Sequence, residues 1–269
     1  DSRVLTKLLR NYRSHPAILK LPNQMFYANE LEVHADQMAR ESLCRWEKLP
    51  KKDFPVIFHG VQGLDEREGK SPSFFNKAEI EIVVEYTLAL LNKRGGMRIK
   101  ECDIGIISPY RRQVQKIKEV LRKRRHGDIK VGSVEEFQGQ ERLVIIVSTV
   151  RSTNPDHIQM DIDYKLGFVK NPKRLNVAVT RAKALLIIVG NPYMLAKDGN
   201  WNMFLEYCLE NKAYVGCFFE SEEEEVEDNI QKFDKLKITS ELVDTPVDER
   251  LGVSAVAEQH DPEWRSENY

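Results

Sequence analysis

Two arginines stand in settings where a fixed positive charge could act on an anion. Arg13 lies in Asn11-Tyr-Arg-Ser-His-Pro16, and Arg181 lies in Asn171-Pro-Lys-Arg-Leu-Asn-Val-Ala-Val-Thr-Arg-Ala-Lys183. The second stretch reads as a helix, with Asn171 as its cap and Pro172 at an early position where a missing N–H costs nothing. Leu175, Val179 and Ala182 recur at three- or four-residue spacing and predict the stripe that packs on a sheet. Arg181 falls near the end of that helix, off the stripe, so its guanidinium faces either solvent or an anion. Guanidinium binds phosphate bidentately and stays ionised, which suits it to the second role. A third segment, Val134-Glu-Glu-Phe-Gln-Gly-Gln-Glu141, sets Gly139 where backbone can approach a ligand closely. Taken alone, it is a turn before a strand.

The elements that must hold these groups follow from apolar patterning. Leu8 to Arg13 is an extended start; Ser14 is a candidate cap and Pro16 opens a helix with Ile18, Leu19 and Phe26 inward. Residues 28–55 read as an irregular connection, Val56–His59 as a strand, and Gly60–Phe75 as a loop. Asn76 then caps a long helix reaching about Asn92. Ile104–Ser108, Lys130–Val134, Val144–Val150 and 185–190 are short apolar runs of the kind buried on both faces. A basic helix runs from Pro109-Tyr110 to about Arg125, and closing helices lie near Tyr193–Leu195 and Trp201–Asn211. Such alternation predicts an α/β fold, a parallel sheet sandwiched by helices. Sites in such sheets sit at the carboxyl ends of strands. Ser108-Pro109-Tyr110, Ser133-Val134 and Thr149-Val150-Arg151 are all placed there.

Of the 269 residues, 41% are hydrophobic, enough for a sizeable core, and the formal net charge is −1. That near-neutrality conceals an asymmetry: residues 1–218 carry +10 and residues 219–269 carry −11. A basic globular part is the electrostatic footprint of a phosphate-binding surface. From Glu220 onward the acidic, aromatic-poor composition predicts a disordered tail, whose Trp264 is either a linear partner motif or a terminal residue without a stable role. Cys44, Cys102, Cys208 and Cys217 show no metal-binding spacing and read as free thiols in a reducing compartment. With no signal peptide and no run long enough to cross a bilayer, the expectation is a soluble intracellular protein without a membrane partner. The chain opens on Asp1 in front of a motif, which suggests a piece cut from something longer.

In order along the chain, the Asn11–Pro16, Val134–Glu141 and Asn171–Lys183 motifs resemble the second RecA-like domain of superfamily-one helicases, in the branch that includes the nonsense-mediated-decay helicase. Leu9–Pro16, Phe58-His-Gly60, Asp65–Glu68, Ser71–Asn76, Val131–Glu141 and Leu175–Pro192 look more closely like the Armitage-type (Moloney leukaemia virus ten-like) RNA helicases, over residues 5–218. The resemblance implies a P-loop NTPase-like second motor domain that lacks the Walker motifs. No G-x-x-x-x-G-K-[ST] is present, and Asp161-Ile-Asp163 does not follow an apolar strand. ATP with Mg²⁺ would then be held mainly by a first RecA-like domain of the same polypeptide, and this chain alone would not hydrolyse it.

In that reading Arg13 and Arg181 stabilise the charge on the transferring phosphoryl group. Tyr12 stacks on adenine or packs against the helix after it, Gln138 and Gly139 lie near the phosphates, and Glu141 accepts from the ribose. Single-stranded RNA would run along Ser108, Pro109, Tyr110, Ser133, Val134, Thr149 and Arg151, with Asn171, Lys173 and Arg174 adding charge. The resemblance further implies 5′-to-3′ translocation, a cytoplasmic setting that extends to ribonucleoprotein granules, and RNA-silencing or RNA-decay proteins as partners. A DNA helicase of the same superfamily and a non-catalytic RNA-binding adaptor are the competing readings. The run Arg122–Arg125 is a solvated helix end or further charge for the nucleic acid.

Overall fold

The computed structural model describes residues 7–68, 73–152 and 172–219, which fall within the compact unit Asp1–Phe219. The predicted cap Asn171, the Asp161–Asp163 segment and the acidic tail from Glu220 lie outside the described residues.

Strand β1 (Arg10–Asn11) pairs in parallel with β2 (Glu32–Val33) around helix α1 (Pro16–Phe26); a short α2 (Gln37–Glu41) follows. Then come β3 (Val56–Gly60), the antiparallel pair β4 (Asp65–Arg67) and β5 (Phe74–Asn76), and α3 (Lys77–Leu91). The chain continues through β6 (Ile104–Ile107), α4 (Arg111–Lys123), β7 (Lys130–Gly132) and β8 (Arg142–Ser148). It closes through α5 (Pro172–Val179), β9 (Ala182–Gly190), α6 (Pro192–Leu195), α7 (Gly199–Glu210) and β10 (Tyr214–Gly216).

Six strands form one parallel sheet in the order β10-β3-β9-β8-β6-β7. Alternate residues of each central strand feed opposite cores. Ile145 and Val147 of β8 join Leu186 and Ile188 of β9 under α1, α5 and α7, while Val144, Ile146, Leu185 and Ile187 pack beneath α3 and α4. All eight are fully buried, and each such side chain contributes about 1.5–3 kcal/mol relative to exposure. Covering both faces with helices is what makes these strands read as unbroken apolar runs. The α/β sandwich predicted from sequence is the observed fold.

Several local expectations change. The cap of α1 is His15, not Ser14: its Nδ1 accepts from the amide of Ala17 at 3.1 Å, while the Ser14 hydroxyl is buried with no partner among the described residues. Helix α5 stops at Val179 because β9 starts at Ala182, earlier than predicted. The Arg142 amide donates to the Arg181 carbonyl and draws that residue into the ladder. Ala182 is therefore buried in a strand and not on a helix, and Arg181 sits in the turn between the two. The stretch 28–55 holds β2 and α2 and delivers Leu43, Trp46 and Leu49 to the core. Gly60–Phe75 holds β4 and most of β5, an antiparallel pair of three-residue strands too short for periodicity to reveal. Asn76 caps α3 as expected, accepting from the Glu79 amide at 3.2 Å.

Candidate nucleotide and nucleic-acid sites

Arg13, Glu141, Arg181 and Lys183 come from three remote stretches and meet at the amino ends of β8 and β9. The Asn11 side chain accepts from the amides of Arg13 and Ser14 at 3.0 and 2.9 Å, folding the motif into a tight turn. The His15 amide ties that turn to the Lys183 carbonyl at 2.9 Å. Arg13 Nε then meets Glu141 Oε2 at 2.6 Å, and Lys183 Nζ meets Glu141 Oε1 at 2.6 Å. Lys183 hydrogen-bonded to it, with Arg13 next, holds the Glu141 carboxyl below the usual range. Glu141 thus orients two cations as it stands. A carboxylate has about four lone-pair sites, so it keeps capacity for a further donor.

Both guanidinia also use the last turn of α5. Arg13 donates to the Thr180 carbonyl at 3.2 Å, and Arg181 Nε donates to the Val177 carbonyl at 3.2 Å. Those carbonyls lack helical partners and carry the negative end of the helix dipole. Arg181 reaches on to the Gln140 carbonyl at 3.4 Å. Partial burial and the like charge of Arg13 lower the pKa of Arg181. Two guanidinia and an ammonium around one carboxylate leave surplus positive charge at a half-open surface.

Gly139 sits in the turn that leads to Glu141, at φ +72 with open space around its Cα. The turn is anchored by Phe137, fully buried in the core, and leaves Gln138 at the surface. Tyr12 is 68% exposed and its ring stands 5.6 Å from that of His34. It is not the half-buried ring packed on α1 that one reading of the sequence held out. Among the described residues no group of His, Cys, Asp or Glu is arranged to hold a metal ion.

At the other end of β8, roughly 20 Å along a seven-residue strand, the predicted nucleic-acid residues are placed together but mostly sealed. Ser108, Pro109, Tyr110, Val134, Thr149 and Arg151 are buried, and Ser133 is half-buried. The idea that hydroxyls and amides here stand open to phosphate does not hold for most of them. The Ser108 amide donates to the Gly132 carbonyl, the Thr149 amide to the Val189 carbonyl, and the Val150 amide to the carboxyl group of Glu79. Arg151 is not a free charge: it pairs with Asp65 at 2.7 Å, the two side chains 3% and 1% exposed. Its guanidinium lies 3.7 Å from the Phe74 ring centroid. A buried arginine needs such a partner, since an isolated charge there is prohibitively costly. Arg174 is half-buried and pairs with Glu135 at 2.7 Å, while Lys173 is exposed.

Beneath this rim lies a polar plug that sequence patterning missed. Glu79 is fully buried and accepts from the Ser148 hydroxyl at 2.5 Å and the Val150 amide at 2.9 Å. Burial pushes its carboxyl up to about 8, against the opposing pull of those bonds. Gln113 bridges the Ser148 hydroxyl and both main-chain groups of Asn76, whose side chain reaches the Val150 carbonyl. Together they hold Val150 at φ +76, costly for a β-branched residue, by about 1–3 kcal/mol. Lys183 could have been found from its place two residues beyond Arg181, since alternate residues of an extended segment share a face. Glu79 and Gln113 read as ordinary polar positions of helices and gave no such signal.

The family model described as an AAA domain matches residues 2–193. The human RNA helicase Mov10l1 is 56% identical over 214 residues, covering 80% of this chain and 17% of that protein. The mouse RNA helicase Mov10l1 is 55% identical, covering 80% and 18%. The zebrafish (Danio rerio) protein mov-10-B.1, named as a helicase, is 55% identical over 226 residues, covering 80% and 22%. The chain spans about a fifth of the length of these relatives. Its match extends across the cluster at Arg13 and Arg181 and the rim at Ser108 and Thr149, and the chain belongs to the AAA-domain family, with Mov10-type helicases among its relatives.

Proposed function

We propose that residues 1–218 are the second motor domain of an ATP-dependent superfamily-one RNA helicase, in the branch of the nonsense-mediated-decay helicase, with 219–269 as an acidic tail. The observation that carries this reading is that distant stretches of chain bring Arg13 and Lys183 onto Glu141 and Arg181 onto the Gln140 carbonyl next to it. Arg13 and Arg181 are the arginine fingers: they hold the charge that develops on a transferring phosphoryl group. Glu141 and the end of α5 fix both guanidinia beforehand, so little reorganisation is needed when the anion arrives. Exposed Tyr12 stacks on the base, Gln138 and Gly139 approach the phosphates, and Glu141 uses its spare acceptor capacity on the ribose.

The surplus of cations fits a polyphosphate; Mg²⁺ would sit with ligands of a first RecA-like domain. Single-stranded RNA passes the rim, where Ser133 and Lys173 are accessible. Ser108, Pro109, Tyr110, Val134, Thr149 and Arg151 shape that rim from below, and Arg174 sits paired beside it. Movement is 5′ to 3′, the setting is the cytoplasm, and the partners are RNA-silencing or RNA-decay proteins. The test is ATP turnover by this chain joined to a first motor domain. RNA-stimulated turnover is the expected result, and its absence would leave only a binding role.

A further inference from the structure

The exposed part of α4 divides into two flanks. On one, Arg112 and Lys116 hold Glu68 at 2.7 and 2.5 Å, and Lys123 pairs with Glu119 at 2.8 Å. Arg111, Lys118 and Arg122 lie on the other, within about 40° of one another at 3.6 residues per turn, along roughly 16 Å of helix. Among the described residues none of these three has an acidic partner. Val114, Ile117 and Leu121 are buried on the underside, and β7, the strand that α4 leads into, is the edge of the sheet.

Helix stability does not explain the arrangement. The dipole favours cations in the last turn, which accounts for Arg122. It disfavours Arg111, which is the first residue of α4, in a first turn with no acidic residue. Lys118 and Arg122 are a like-charged pair four apart, which an isolated helix would rather avoid. Arg111 also follows Tyr110 directly and so emerges at the rim, where the amides of Ser108, Thr149 and Val150 are already engaged.

We propose that Arg111, Lys118 and Arg122 form a phosphate-binding stripe that takes the backbone of single-stranded RNA where it leaves the rim. This rests on reading Ser108–Tyr110 as part of the RNA track. Two guanidinia and an ammonium along one line suit successive phosphates and read no base, as a translocating strand requires.

The experiment measures affinity of the chain for a short and a long oligouridine, roughly 8 and roughly 20 nucleotides, across a salt series. Compared are the wild type, the triple variant Arg111→Gln/Lys118→Gln/Arg122→Gln, and Lys123→Gln from the paired flank. The triple variant should bind the long strand about tenfold more weakly, with a salt slope shallower by about two, and bind the short strand as before. Lys123→Gln should change neither. Wild-type affinity and slope in the triple variant, or an equal loss in Lys123→Gln, overturns the stripe while the track stands. A wild type that binds neither strand removes the track reading, and the stripe with it.

Discussion

At the amino ends of β8 and β9, Arg13 and Lys183 share the Glu141 carboxylate while Arg181 beside them holds main-chain carbonyls, all in half-open surroundings. At the carboxyl end of β8, Arg151 is sealed against Asp65 and the Phe74 ring, and Glu79 collects bonds from Ser148 and Val150. Both regions are built from arginines and glutamates, yet they solve different problems. Buried charge must be matched on the spot, because desolvation makes any unmatched group expensive. Charge in contact with water can be left in surplus, and that surplus remains available to a ligand. Substitutions at the sealed end should therefore act on stability, and those at the open end on binding and turnover.

The largest effect should come from Arg151→Ala, which strands Asp65 in the interior. Breaking a buried pair from one side costs about 3–5 kcal/mol, read as a fall in the denaturant midpoint; a loss below about 1 kcal/mol would mean that the rim is looser than described. Glu79 comes next, through pH. Its carboxyl is raised to about 8 in the fold, so its contribution is fully present below the unfolded value near 4.5 and is lost as pH rises through 8. Unfolding measured between pH 5 and pH 9 should show wild type weakening relative to Glu79→Gln, which cannot ionise. Parallel curves would show that Glu79 does not titrate there. Gly139→Ala should cost least, about 1 kcal/mol for a left-handed conformation, with no clash to add. A thermal shift much larger than that would place the turn in the sealed class.

The open end was the more legible from sequence. Arg13, Tyr12 and Arg181 lie in short motifs whose order along the chain carries the information. The parallel sheet was legible for a different reason: strands buried on both faces cannot alternate, so Val144–Val147 and Leu185–Val189 announce themselves. At the sealed end the position of the rim residues was legible and their burial was not. Ser108, Thr149 and Arg151 sit at strand ends in the sequence as exposed ligand contacts would, and it is packing from elsewhere in the chain, Glu79 of α3 on Thr149 and Asp65 and Phe74 on Arg151, that seals the last two. Asp65 and Arg151 are 86 residues apart, and Glu79 meets Ser148 across 69; no local pattern connects such partners. The end of α5 was placed about one turn too late, leaving Arg181 in the turn beyond it, because a helix stripe and the start of a strand share Ala182.

The most direct measurement is ATP turnover by this chain joined to a first motor domain, comparing wild type with Arg181→Ala in saturating single-stranded RNA. Removing an arginine finger should lower turnover by about 10³-fold or more, with the melting temperature and RNA affinity essentially unchanged. Undiminished turnover in Arg181→Ala, or a loss matched by unfolding, would contradict the division between a ligand-facing and a structural set of charges.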